Sequence, residues 1–171
     1  MHTPSRTDYA DAGNHDLVIR RYEYGDLQAV IDLHNLVLTE AGAHFGDGPW
    51  DDDLKNIESA YIDTGGEFLV GECDGRIVAM GGLQKTDPHM AKVRRMRVHP
   101  DYQRRGFGKV ILDQLESRAL ALGFRRLFLD TSILLKGALR FYPKYGYHKT
   151  HEEDSGEDRL IYFAKELHSP V

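Results

Sequence analysis

The chain is poor in cysteine: Cys73 is the only one in 171 residues. No internal disulfide can form, and a lone thiol fits a reducing compartment. Long apolar runs are also missing, since nothing approaches the roughly 18 residues that a membrane-crossing helix needs. Residues 1–16 are polar and acidic without an apolar stretch, unlike a secretory leader. The expected location is therefore cytoplasmic. Positive charge is in deficit too, with 22 Lys and Arg against 27 Asp and Glu and a formal net charge of −5. That balance argues against bulk attraction to nucleic acid or to an anionic membrane. Nine histidines are present, yet the one close pair, His148 and His151, has no second ligand pair, so no metal site is expected.

What is present describes one globular domain. Hydrophobic residues make up 41% and charged residues 29% of the chain, and its length suffices for one sizeable core and not comfortably for two. Residues 1–16 read as a poorly ordered tail and 17–171 as the domain. Residues 17–22 have strand character. Asp26 is placed to cap a helix whose Leu27, Val30, Ile31, Leu33 and Val37 recur at helical spacing to about Thr39, where the glycine-broken stretch 42–49 ends it. A shorter helix from Asp51 or Asp52 carries Leu54, Ile57 and Tyr61. Strands at 67–73 and 76–86 are joined by Asp74-Gly75, a strong hairpin sign. A fourth strand covers 91–98. Ile111, Leu112, Leu115, Ala119 and Leu122 form a helical stripe that Gly123 closes. A fifth strand (126–131), a short helix (137–145) and strands at 147–150 and 160–165 follow, with residues 152–158 as a solvated loop. The pattern mixes a meander with crossover helices and predicts an α/β fold.

The loop Gln103-Arg104-Arg105-Gly106-Phe107-Gly108 stands between the fourth strand and the helix beginning near Lys109. A strand, a short glycine-bearing loop and a helix leave unpaired N–H groups at the positive end of the helix dipole, which makes an anion cradle. A dinucleotide fingerprint would need a third glycine, and a P-loop would need glycine at Gln103 and a hydroxyl at Val110. Both readings fail on spacing. Q-x-x-G-x-G with two arginines inside it resembles the pyrophosphate-binding loop of the GNAT-type N-acetyltransferase superfamily. The run from Met96 to Tyr102 and the block Ala138-Leu139-Arg140-Phe141-Tyr142-Pro143-Lys144-Tyr145-Gly146-Tyr147 fit the same family, in the right order.

The resemblance implies a mixed, mostly antiparallel sheet of about seven strands, splayed between the fourth and fifth and flanked by about four helices. It implies acetyl-CoA as acyl donor, with backbone groups of Met96, Arg97 and Val98 against the pantetheine arm. Gln103, Arg104, Arg105, Gly106, Phe107, Gly108 and Lys109 would hold the pyrophosphate. A side chain at Gly106 or Gly108 would stand in the way. Tyr142 is implied as the general acid for the departing thiolate, with Phe141 facing the core. The resemblance breaks at the base: family members often carry glutamate in a pattern like A-E-x-x-R-M, and here Lys92 follows Ala91. An ammonium accepts no proton, so Glu40, His44 and Asp130, acting through water, become the candidates. Leu135 likewise stands where the family often has asparagine. Trp50-Asp51-Asp52-Asp53 reads as either an amine-binding acidic patch or an acidic helix start.

The expected activity is acetyl transfer to a primary amine of a small molecule, directly within a ternary complex, with Cys73 taking no covalent part. No nucleic-acid or membrane partner is expected, and a homodimer is compatible with the reading. Two alternatives stay open: acetylation of a protein N-terminus or lysine, and a non-catalytic acetyl-CoA-binding sensor or partner module.

Overall fold

In the computed structural model residues 17–44, 46 and 48–169 are described. The expected tail at 1–16, and Phe45 and Asp47 within the stretch after the first helix, lie outside them. The elements are β1 (Val18–Arg21), α1 (Leu27–Glu40), α2 (Asp52–Lys55), β2 (Glu67–Cys73), β3 (Arg76–Asp87), β4 (Met90–Val98), α3 (Phe107–Ala121), β5 (Arg126–Ser132), α4 (Lys136–Lys144), β6 (His148–Ser155) and β7 (Asp158–Glu166). The sheet runs β1-β2-β3-β4-β5-β7-β6. Its pairs are antiparallel except β4 with β5. The seven-stranded mixed sheet flanked by helices is the architecture expected from the resemblance. Among the described residues no helix is long and apolar enough to cross a membrane.

Each face of the sheet carries its own core. On one, Phe107, Ile111, Leu112 and Leu115 of α3 pack with Ala79, Val93, Leu127 and Phe163. On the other, Val30 and Leu33 of α1 join Leu54, Ile57 and Tyr61 over Phe68, Val70 and Met80. Gly81 and Gly82 of β3 let both layers come close. A Cβ at Gly81 would lie 2.6 Å from Met96 Sδ and 2.9 Å from Ile111, and one at Gly82 would lie 2.8 Å from Phe68 and 2.9 Å from Tyr61. Neither contact is sterically allowed, so these glycines set the helix-to-sheet spacing.

Three local expectations are corrected. Asp26 does not cap α1: its backbone is already helical and its side chain makes no cap bond. Its carboxylate instead accepts from both terminal nitrogens of buried Arg20, at 2.7 and 2.8 Å, and from the Glu23 N–H at 2.7 Å. A bidentate guanidinium bond is stronger than a single cap bond and wins the carboxylate. The helix expected through Leu54, Ile57 and Tyr61 breaks at Asn56 and resumes as a π turn at Glu58–Ile62. The wider turn still keeps Ile57 and Tyr61 buried, while Tyr61 donates to Asp53 and its carbonyl accepts from Gly66 at 2.7 Å. Residues 152–155 are exposed, as expected, but they are strand rather than loop, because β6 and β7 pair as far as Ser155↔Asp158. Arg159 bridges the acidic strand, donating to Asp154 at 3.1 Å and Glu152 at 3.3 Å, which offsets the charge repulsion that made the segment look like a loop.

Glu67, 0% exposed, ties three elements together. Its carboxylate accepts from Arg21 of β1 at 2.8 and 2.9 Å and from Arg118 of α3 at 3.0 Å. Breaking a buried pair strands its partners, though Arg21 and Arg118 keep 22% and 30% side-chain exposure, which softens the loss. Glu67→Leu is expected to lower unfolding free energy by about 3 kcal/mol, read from the urea midpoint at constant slope.

Candidate active site

The site follows from how briefly β4 and β5 stay together. Their ladder pairs only Met90, Ala91 and Lys92 with Arg126, Leu127 and Phe128. Beyond it β4 remains with β3 as far as Ala79↔Val98, and β5 with β7 as far as Ser132↔Leu160. The wedge between them holds two cavities of about 560 and 660 Å³, and Met96, Arg97, Leu135, Ala138 and Tyr142 line both.

The larger cavity runs along the glycine loop. Arg104 (φ +65°) and Gly106 (φ +81°) adopt left-handed backbone, and Gly106 is the N-cap of α3. Left-handed Gly106 leading into the right-handed helix turns successive N–H groups toward one side, and Arg104, a non-glycine residue held left-handed, is strained. The first α3 bond onto the loop is Val110 N–H to the Gly106 carbonyl, 3.1 Å. The N–H groups of Phe107, Gly108 and Lys109 precede it and face the dipole's positive end. Gln103 fixes the loop by donating to the Val98 carbonyl at 3.1 Å, and Arg105 lies over the Tyr102 ring, 4.8 Å from its centre. A Cβ at Gly108 would meet Phe141 at 3.3 Å and Val98 at 3.7 Å, so glycine there also serves the contact of α3 with α4. Phe141 is only half-buried and packs from the cavity side.

Charge in this cavity runs against the acidic chain. Arg97, Arg104, Lys109, Lys136, Arg140 and Lys144 line it, and among the described residues no carboxylate does. Lys136, Arg140 and Lys144 sit four apart on α4, so one helical stripe supplies three cations. That four-residue spacing is visible in the sequence. The cavity fits an extended polyanion.

Tyr142, 5% exposed, reaches the seam of the two cavities from α4. Its ring packs against Tyr147 and Phe163, and among the described residues its hydroxyl has no hydrogen-bond partner. Burial pushes its pKa well above the ordinary phenol value, opposed by the nearby Arg97 charge. It is protonated at neutral pH.

The smaller cavity is walled by β4, β5 and the β6–β7 turn. Lys92 forms a 2.5 Å ion pair with Asp130 across the point where the strands part, so the lysine at the position of interest neutralises one of the three base candidates. Glu40 and His44 line neither cavity. Glu40 is exposed. His44 accepts from the Gly46 N–H on Nδ1 at 3.2 Å, which leaves Nε2 to donate to Asn35 Oδ1 at 3.1 Å; both nitrogens are occupied. Of the acidic run after Trp50, Asp51 and Asp53 turn toward Arg95, with Asp53 in a bidentate pair at 2.6 and 3.0 Å. Trp50 lines the cavity, as do Ser132 and Asp158, which are joined by a 2.8 Å hydrogen bond. The sequence did not single out Ser132 or Asp158, because a strand end and a hairpin turn carry no motif. Arg95 has φ +60° at a β4 bulge, where the pairing with β3 skips between Met80 and Gly82.

The profile described as the acetyltransferase (GNAT) family matches residues 30–147. The chain belongs to this family. Among relatives, an acetyltransferase of Yersinia pestis (strain Pestoides F) is 37% identical over 101 residues, 58% of this chain and 70% of that protein. The uncharacterized N-acetyltransferase YjgM of Escherichia coli K12 is 27% identical over 135 residues, 76% of this chain and 81% of its own. The fold is similar to that of a GNAT-family acetyltransferase from Staphylococcus aureus Mu50, with TM-score 0.82 and 21% identity over 89% of this chain and 99% of the other. It is also similar to yncA of Salmonella typhimurium, a putative acetyltransferase solved with acetyl-CoA, with TM-score 0.74 and 18% identity over 92% and 97% of the two chains.

This GNAT site rests on a neutral histidine. His34 of α1 is 1% exposed, and its Nε2 lies 3.2 Å from Asp51 Oδ1 but off the hydrogen-bond axis, leaving both ring nitrogens without a hydrogen bond. Burial, then Arg97 and Arg95, lower its pKa from 6.5 to about 3. The unfolded chain therefore takes up this proton first as pH falls, so stability is lost below about pH 6.5 and the loss grows toward pH 3. From pH 7 to pH 5 this one group should cost about 2 kcal/mol. His34→Leu should flatten that part of the stability profile, measured by urea unfolding at both pH values.

Proposed function

We propose that this GNAT-family chain is an N-acetyltransferase that moves the acetyl group of acetyl-CoA to a primary amine of a small molecule, directly and without a covalent enzyme intermediate. One observation carries the reading: a cavity with six basic and, among the described residues, no acidic lining side chains meets a second cavity of mixed charge, and Tyr142 lines both. Acetyl-CoA is a polyanion at one end and a thioester at the other. The residues Gln103, Arg104, Arg105, Gly106, Phe107, Gly108 and Lys109 would take the pyrophosphate on backbone N–H groups and positive charge. The β4 backbone at Met96, Arg97 and Val98, which has no strand on its β5 side, would take the pantetheine amides.

Acetyl-CoA supplies an acyl carbon bound to a thiolate leaving group. The neutral amine attacks that carbon from the smaller cavity and its nitrogen becomes positively charged, the carbon–sulfur bond breaks, the thiolate takes the proton of Tyr142, and the phenolate regains one as the nitrogen sheds its extra proton to leave the neutral amide. A buried phenol that stays protonated through neutral pH suits this task. Tyr142→Phe is expected to lower turnover by about 10² with acetyl-CoA affinity nearly unchanged, measured by thiol release beside titration calorimetry. Equal turnover would reduce Tyr142 to packing.

For the base, Lys92 neutralises Asp130, while Glu40 and His44 lie away from both cavities. The amine then arrives already neutral. The rate should rise with pH up to the acceptor's own pKa and follow that pKa across a series of amines. A limiting pKa fixed across acceptors and abolished by Asp130→Asn would instead make Asp130 the base.

A further inference from the structure

The wall of the smaller cavity contains four cationic side chains, Lys92, Arg94, Arg95 and Arg97. Three have carboxylates. Lys92 pairs with Asp130 at 2.5 Å, Arg95 with Asp53 at 2.6 Å, and Arg94 stands 3.7 Å from Asp53 while donating to Gln84 at 3.2 Å. Arg97 has none. Its one hydrogen bond within the described residues runs from Nη1 to the Met96 carbonyl, 2.8 Å away, and its Nε is fully enclosed with no partner. Its charged neighbours make this worse. Burial and then the like charge of Arg95 lower its pKa to about 10, and His34 beside it is held neutral. A guanidinium left so is costly for the ligand-free fold, and an anion supplied from outside removes the cost.

We propose that Arg97 is a specificity determinant that binds a carboxylate of the acceptor, so that the acceptor class is amino-acid-like: an amine and a carboxylate on one small molecule. The inference rests on the N-acetyltransferase reading and names its substrate class. Position favours the acceptor as the source of the anion. The pyrophosphate cradle has its own donors in the loop and α3, whereas Arg97 stands on β4 where both cavities meet, within the field of Tyr142. A carboxylate held on this guanidinium puts the rest of the acceptor in the smaller cavity, whose lining also includes Ser132, Asp158 and Glu157. The planar fork suits a carboxylate and would discriminate poorly between neutral amides.

The test uses the full chain loaded with CoA and, as probes, the N-acetyl derivatives of the common α-amino acids beside their primary amides. Titration calorimetry should find at least one acid bound about 10²-fold more tightly than its amide, the scale of one charge-assisted pair. Arg97→Gln should reduce that ratio to near one, and Arg97→Lys should keep part of it. Without ligand, Arg97→Gln should melt no lower than the parent, because an uncompensated charge is gone. No preference for acid over amide in any pair would overturn the proposal, and so would a preference that survives Arg97→Gln. A lost preference in a variant that has also lost CoA affinity would assign Arg97 to the donor and likewise overturn it. Acetyl transfer to the parent amino acids, followed separately by thiol release, keeps the two readings apart: acid preference without transfer refutes the enzyme reading and leaves the Arg97 assignment standing.

Discussion

Everything in the site depends on two neighbouring strands that part after three residues. The main-chain groups of β4 beyond Lys92 that face β5 lie inside the sheet, yet have no strand to bond. Elsewhere in the fold backbone polarity is absorbed by ladders and helices. Here side chains take part of it, Arg97 on the Met96 carbonyl and Gln103 on the Val98 carbonyl, and what remains borders a slot whose floor is the core beneath Tyr142 and Phe163. The Lys92–Asp130 pair spans the fork where the slot begins, and the bulge at Arg95 redirects β4 just beyond it. Had the ladder continued to Val98, Tyr142 would be one more core aromatic.

The sequence was most informative where chemistry demands a fixed local geometry. The glycine loop, the Asp74-Gly75 hairpin and the Phe141-Tyr142 block place backbone conformation or an aromatic at set offsets, and those offsets survive in one dimension. The order and kind of the major elements were legible for the same reason, through alternation in strands and the α3 stripe. Asp26 was misread because its partner, Arg20, becomes a neighbour only once β1 is laid down. The acidic β6–β7 segment was misread because charge density resembles solvation when the crossing arginine is not in view. The pairing of Lys92 with Asp130 was beyond sequence reading, since it depends on the tilt between two strands nearly forty positions apart in the chain.

A second lesson lies in how charge is distributed. Across the described residues Arg20, Arg21, Arg95 and Arg118 are matched to carboxylates with close geometry, so the fold is well able to satisfy buried guanidinium groups. Arg97 and His34, adjacent across the α1–β4 contact, are exceptions in the same small volume. Unsatisfied polarity concentrated at one place, in a protein that satisfies it elsewhere, is what the proposed acceptor site at Arg97 would account for.

The two walls of the wedge differ in what holds them. The side along the glycine loop is locked: Gly108, Phe141 and Val98 interlock and Tyr142 is embedded among aromatics, so a change there disturbs the core. The outer wall ends on β6, a strand with every residue exposed, and on its turn into β7. Substitutions along that hairpin touch little that the fold depends on. If the proposed assignment of the two cavities holds, descendants of this chain can drift toward new acceptors by altering the hairpin tip, while the half of the pocket proposed to read the acetyl donor is inherited intact.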